Sequence, residues 1–155
     1  DPLLKSVIQE ITTPHLGLIA SKADPDSPFG GYHFYGSYLT DLCSVIFGTD
    51  ARSARCVRIE NAVTTTVRYA EQTVVLYSQP ELTKPQVIFD DGKSLQMITL
   101  DDQQCYLNGM SAFIEMIENG STDPDKLGQL VFSVRLLDAI MQSLESGGEI
   151  PLAGN

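Results

Sequence analysis

One stretch of this sequence, Tyr32 to Phe47, concentrates the side chains with chemistry to offer: His33, Tyr35, Tyr38 and Asp41. They combine hydrogen-bond donors, an acceptor carboxylate and aromatic walls, which is what a ligand rich in hydroxyls requires. The pair just before them, Gly30-Gly31, either lets the backbone approach a ligand or makes a tight turn. Other chemistries lack their patterns. No Ser stands in a G-x-S-x-G elbow. The cysteines Cys43, Cys56 and Cys105 form no C-x-x-C pair, and with two histidines they show no metal-ligand spacing. Asp24, Asp26 and Ser27 lack the register and terminal Glu of a calcium loop. His15, beside Pro14, reads as a strand-start or loop residue. Asn119-Gly120-Ser121 reads as a helix cap and turn, not a glycosylated site, and Thr64-Thr65-Thr66 as strand propensity.

These residues need elements to position them. The periodicity predicts a short helix over 1–12, a strand over Leu16 to Ala20, and a loop from Lys22 to Gly31 rich in breakers. A helix from Tyr32 to Phe47 should bury Phe34, Tyr35, Tyr38, Leu39, Leu42, Val45 and Ile46 as a broad stripe and end at Gly48. From Ala54 to Leu100 the chain alternates like successive strands: Val57 and Ile59, then Val63 to Tyr69, then Thr73 to Tyr77. Gln86 to Phe89 and Ser94 to Leu100 flank the hairpin signal Asp91-Gly92. Two helices follow. The first carries Tyr106, Met110, Phe113, Ile114 and Ile117 on one face. The second starts at Asp123-Pro124, should bury Leu127, Leu130, Val131, Val134, Leu137, Met141 and Leu144, and stops at Gly147-Gly148.

This order predicts a single α+β domain over 1–155. Its sheet is open and mixed, predominantly antiparallel, with helices on one face and the other face available for dimerisation. The 155 residues are 43% hydrophobic and 19% charged, an ordinary globular composition. No apolar run approaches the roughly 20 residues of a membrane span. A net charge of −10 argues against nucleic acid. Scattered thiols point to a reducing, cytoplasmic setting. The first residue is Asp, so the chain reads as a fragment of a longer protein or a processed product.

Three segments together resemble the C-terminal domain of the Gfo/Idh/MocA oxidoreductase family. Gly30-Gly31 through Asp41, continued by Leu42 to Gly48, is similar to the family's Gly-Gly loop and the helix that carries substrate contacts. The strand block is similar to the family's open sheet. Ser111 through Pro151-Leu152 is similar to its closing pair of helices and short Ile-Pro-Leu strand. The resemblance implies the substrate-binding and dimerisation domain of an NAD(P)-dependent sugar or polyol oxidoreductase, a homodimer through the sheet face. It implies a separate N-terminal Rossmann domain that holds the NAD(P). This chain has no G-x-G-x-x-G and no Glu-Lys-Pro segment, so alone it is expected neither to bind the dinucleotide nor to transfer hydride.

The resemblance also assigns positions. The family's Asp and, four residues on, its acid–base His fall at Phe34 and Tyr38. Tyr38 thereby takes the catalytic position, and His33, Tyr35, Tyr38 and Asp41 are the implied substrate contacts. Phe34 can carry neither charge nor proton, and His33 stands roughly 100° around the helix from it. An alternative is therefore a non-catalytic binding or assembly domain that uses the exposed sheet face.

Overall fold

In a computed structural model the described residues are 16–90, 94–101 and 124–152, together with residues 107, 110, 111, 114, 117 and 118, which are helical. The elements are β1 (Leu16–Ser21), α1 (Tyr32–Phe47), β2 (Ser53–Ile59), β3 (Ala62–Arg68), β4 (Thr73–Ser78), β5 (Gln86–Asp90), β6 (Leu95–Thr99), α2 (Pro124–Ser146) and β7 (Glu149–Pro151). The expected helix over 1–12, the Asp91-Gly92 turn and the Asp123 cap lie outside the described residues.

Seven strands form one sheet in the order β6-β5-β1-β4-β3-β2-β7. The β2–β3, β3–β4 and β5–β6 pairs join strands consecutive in sequence, and all are antiparallel. β1 lies parallel to β4 and antiparallel to β5. The parallel pair has α1, β2 and β3 between its strands, a connection long enough to bring the chain back in the same direction. The sheet is thus mixed and mainly antiparallel, as the sequence predicts.

Strand alternation sorts its two faces. Ile19, Cys56, Val63, Val67, Val74, Leu76, Val87 and Ile98 belong to one core with α1 and α2. The opposite face presents Leu18, Val57, Thr64, Thr66, Val75, Tyr77, Ile88 and Met97, none of them buried. Close packing on the core side is visible at Gly17: a Cβ there would lie 2.2 Å from Cζ of Phe47, whose ring occupies the space above β1.

The helix faces differ from expectation. In α1 the buried residues are Tyr32, Gly36, Leu39, Thr40, Cys43, Ser44 and Phe47, while Phe34, Tyr38 and Val45 are exposed. In α2, Phe132, Ser133, Leu136, Leu137, Ala139, Ile140 and Ser143 are buried, whereas Leu127, Leu130, Val131 and Val134 are exposed. Hydrophobicity placed Leu39 and Leu137 in the core and Tyr35, Leu42, Ile46, Met141 and Leu144 against it, but missed the rest of each face because the helices meet through small residues. Ser133 Oγ lies 3.3 Å from Ser44 Oγ, and a Cβ on Gly36 would lie 3.2 Å from Leu137 Cδ1. Small side chains allow close approach and satisfy their hydroxyls locally: Ser44 Oγ donates to the Asp41 carbonyl at 2.8 Å. Ser143 ties α2 to the sheet, accepting from the Cys56 amide at 2.7 Å and donating to the Gly148 carbonyl.

Candidate functional site

The loop from β1 to α1 sets the site. Its carboxylates are engaged within the fold. Asp24 Oδ1 accepts from the Asp26 amide at 2.9 Å, and Asp26 forms a bidentate pair with the Arg58 guanidinium. That guanidinium holds the Asp26 carboxyl below its ordinary range. The loop closes with the Gly31 amide donating to the Ser27 carbonyl at 2.8 Å. Gly30 and Gly31 have φ of +105° and +61°, conformations that L side chains rarely adopt. A Cβ on Gly31 would also press the Pro25 carbonyl at 3.2 Å. A tight turn accounts for both glycines.

Tyr32 then anchors α1. Its ring is buried, its phenol oxygen lies 3.2 Å from Ser78 Oγ at the end of β4, and burial pushes its ionisation up to about 12. Gly36 makes room, since a Cβ there would stand 2.6 Å from the Tyr32 ring. With Tyr32 turned inward, helical spacing directs Phe34, Tyr38 and Asp41 to solvent along one face. Phe34 is 51% and Tyr38 55% exposed. Half-buried Tyr35 lies between them, its ring 4.8 Å edge-on from Phe34 and 6.4 Å from Tyr38. The predicted residues Tyr35, Tyr38 and Asp41 therefore share one side of α1. His33 is exposed on the same first turn.

One residue missed in the sequence joins this group. The Lys22 ammonium sits 5.5 Å above the Tyr35 ring centre, close enough for a cation–π contact. Phe29, in the loop just before Gly30, is 77% exposed. The signal for Lys22 was positional: it directly follows β1, at the edge of the loop that delivers α1.

The arrangement can stack against an apolar ring face, donate hydrogen bonds from Tyr35 and Tyr38, and accept them at Asp41. Phe34, one turn before Tyr38 on this face, can neither carry charge nor take a proton. Among the described residues no group of His, Cys, Asp and Glu is placed to hold a metal, and no helix is long and apolar enough to cross a membrane. A groove of about 750 Å³ lined by Arg52, Leu127, Val131, Phe132, Arg135 and Leu152 lies past the other end of α1. It is separated from the aromatic group by most of a helix about 24 Å long, and it gathers no catalytic constellation.

No protein-family profile matches the sequence, and no curated protein matches it. Solved structures do match. The chain is similar to a myo-inositol dehydrogenase from Corynebacterium glutamicum at 12% identity and a TM-score of 0.73, over 100% of this chain and 62% of that one. It is similar to scyllo-inositol dehydrogenase from Lactobacillus casei, solved with NAD(H) and scyllo-inositol, at 10% identity and a TM-score of 0.74, over 99% and 62%. It is similar to the WlbA dehydrogenase from Bordetella pertussis, solved with NADH and UDP-GlcNAcA, at 14% identity and a TM-score of 0.68, over 99% and 60%. The chain thus spans about three fifths of the structures it matches. At these identities the likeness is one of fold: the open mixed sheet with helices on one face.

Proposed function

From a fold that is that of the C-terminal domain of Gfo/Idh/MocA-type dehydrogenases, we propose that this chain is the substrate-binding and dimerisation domain of an NAD(P)-dependent sugar or polyol oxidoreductase. The observation that carries the reading is the solvent-facing set Phe34, Tyr35, Tyr38 and Asp41 on α1. In this reading the rings stack on the carbon face of the substrate, Asp41 accepts from its hydroxyls, and Tyr38 donates a hydrogen bond where the family has its acid–base His.

NAD(P) does not fit this chain. Its one Gly-Gly pair preceding a helix lacks the G-x-G-x-x-G spacing, and the Cβ contact at Gly31 is with the loop's own backbone. The dinucleotide belongs to an N-terminal Rossmann domain of the parent. The open sheet face, with Leu18, Val75, Ile88 and Met97, is the surface for a second copy. The buried free thiols Cys43 and Cys56 support a reducing, cytoplasmic setting.

One observation favours a second reading. Phe34 and Tyr38 put no carboxylate or imidazole at the two positions on α1 where the family has its Asp and His, which suits a binding or assembly domain with no redox step. The test is a titration of the 155-residue chain with myo-inositol and with NADH, followed by amide chemical shifts. We expect myo-inositol to perturb Tyr35, Tyr38 and Asp41, and NADH to perturb nothing. Tight NADH binding would refute the division of labour. Perturbation by neither compound would favour the assembly reading.

A further inference from the structure

We propose that the α1 site takes an acidic sugar, one carrying a carboxylate or phosphate, and that Lys22 selects it; this rests on the sugar-binding reading above. The chain has 20 acidic and 10 basic residues. A surface lysine in such a chain has many carboxylates to choose from. Yet among the described residues Lys22 makes no ion pair, although Asp24 and Asp26 lie in the same loop. Both carboxylates follow it in the loop and turn to other partners. Asp26 is held by Arg58, and Asp24 accepts from the Asp26 amide.

The Lys22 ammonium lies instead over Tyr35, the central ring of the exposed aromatic group. The first turn of α1 contains no acidic residue that would oppose an anion. Asp41 stands a turn beyond Tyr38, at the far end of the same face. The patch is therefore polarised. A ring that stacks on Phe34 and Tyr38 brings a substituent at one end to a cation and its hydroxyls at the other end to a carboxylate. A neutral sugar would leave the Lys22 charge with the Tyr35 ring alone. A charged substituent would gain a charge-assisted hydrogen bond, the strong kind. An inorganic anion would gain the charge and forgo the rings.

The experiment uses the ¹⁵N-labelled chain, titrated at low ionic strength with D-glucose, D-glucuronate, D-glucose 6-phosphate and inorganic phosphate. At least one of the two acidic sugars should bind about tenfold more tightly than glucose, shifting the amides of Lys22, Tyr35 and Tyr38. Which of them does so identifies the anion as carboxylate or phosphate. Lys22→Gln, an exposed replacement, should abolish the preference, so that the acidic sugar binds the variant no more tightly than glucose does. Equal binding of all three sugars, or a preference that survives Lys22→Gln, would overturn the proposal and leave the sugar site standing. Inorganic phosphate binding as tightly as glucose 6-phosphate would overturn it as well. If no sugar perturbs these residues, the sugar site itself falls, and this inference with it.

Discussion

Cys43 Sγ on α1 lies 3.3 Å from the phenol oxygen of Tyr69, which follows β3, and that phenol donates onward to the Gly48 carbonyl at 3.2 Å. Since the phenol proton goes to Gly48, the thiol proton goes to the phenol. This buried relay ties the end of α1 to the sheet and gives a partner to a carbonyl at the helix terminus. Tyr69→Phe keeps the ring and removes both bonds. It should lower unfolding stability by about 1–2 kcal/mol, because a part-buried acceptor is left without its donor. Urea unfolding would measure it. A loss below the scatter of such measurements would mean that water replaces the phenol.

The same burial governs ionisation. Burial pushes the Cys43 thiol from 9.0 up to about 12 and the Tyr32 phenol from 10.0 up to about 12, and it raises Cys56 as well. In each case the folded chain keeps a proton that the unfolded chain releases at lower pH. Stability should therefore be unaffected by these groups below about pH 9. It should then fall as pH rises toward 12, by up to about 1.4 kcal/mol per unit for each group titrating. Cys43 and Cys56 should resist a thiol reagent at pH 8 until urea unfolds the chain. The reading uses a Cys105→Ser variant, so that only these two thiols report. Rapid labelling of the native protein would show that the core around α1 opens readily.

The contrast between strands and helices shows what a sequence carries. The ends of α1 and the strands β1 to β6 were legible, because Gly-Gly, Gly48 and two-residue alternation act locally. The short strand Glu149–Pro151 was legible only through the family resemblance. The buried helix faces were read in part: Leu39 and Leu137 are buried as expected. Phe34, Val45, Leu130 and Val134 are apolar yet exposed, and Gly36, Thr40, Ser44 and Ser133 are small or polar yet buried. Which face turns inward depends on how near the second helix comes, and that is a tertiary fact. The candidate site was half legible for a related reason. Tyr35, Tyr38 and Asp41 are neighbours in one helix. Lys22 reaches Tyr35 only because the loop from β1 folds back past it.

Gly17 tests that packing argument directly. It faces the Phe47 ring, and Gly17→Ala would put a methyl 2.2 Å from Cζ and 2.5 Å from Cε1. Alanine suits strand backbone, so propensity alone predicts little harm. Overpacking predicts otherwise: the ring at the end of α1 must move, at a cost of about 1–3 kcal/mol. The double variant Gly17→Ala, Phe47→Leu should recover part of the loss, because leucine withdraws the clashing atoms. Thermal unfolding of the two variants and the parent decides it. A stable Gly17→Ala single variant would show that Phe47 has room elsewhere.

The proposed dimer has its most sensitive point at Val75. It lies in β4 on the open face, paired with Leu18 on one side and Thr66 on the other, with Ile88 and Met97 continuing the row. If two copies meet through this face, the contact is isologous and any change in it is made twice. Val75→Lys adds a long side chain to a solvent-facing position of the single chain, where its ammonium stays hydrated. In a dimer two such charges would be buried without partners, a situation that costs several kcal/mol. The variant should keep the circular dichroism of the parent and become monomeric, with the dimer dissociation constant raised at least about a hundredfold. Light scattering over a concentration series reads this out. Val75→Thr, which keeps the shape and adds no charge, should stay dimeric. A parent chain that is monomeric at high concentration, or a Val75→Lys chain that still dimerises, would move the interface away from this face.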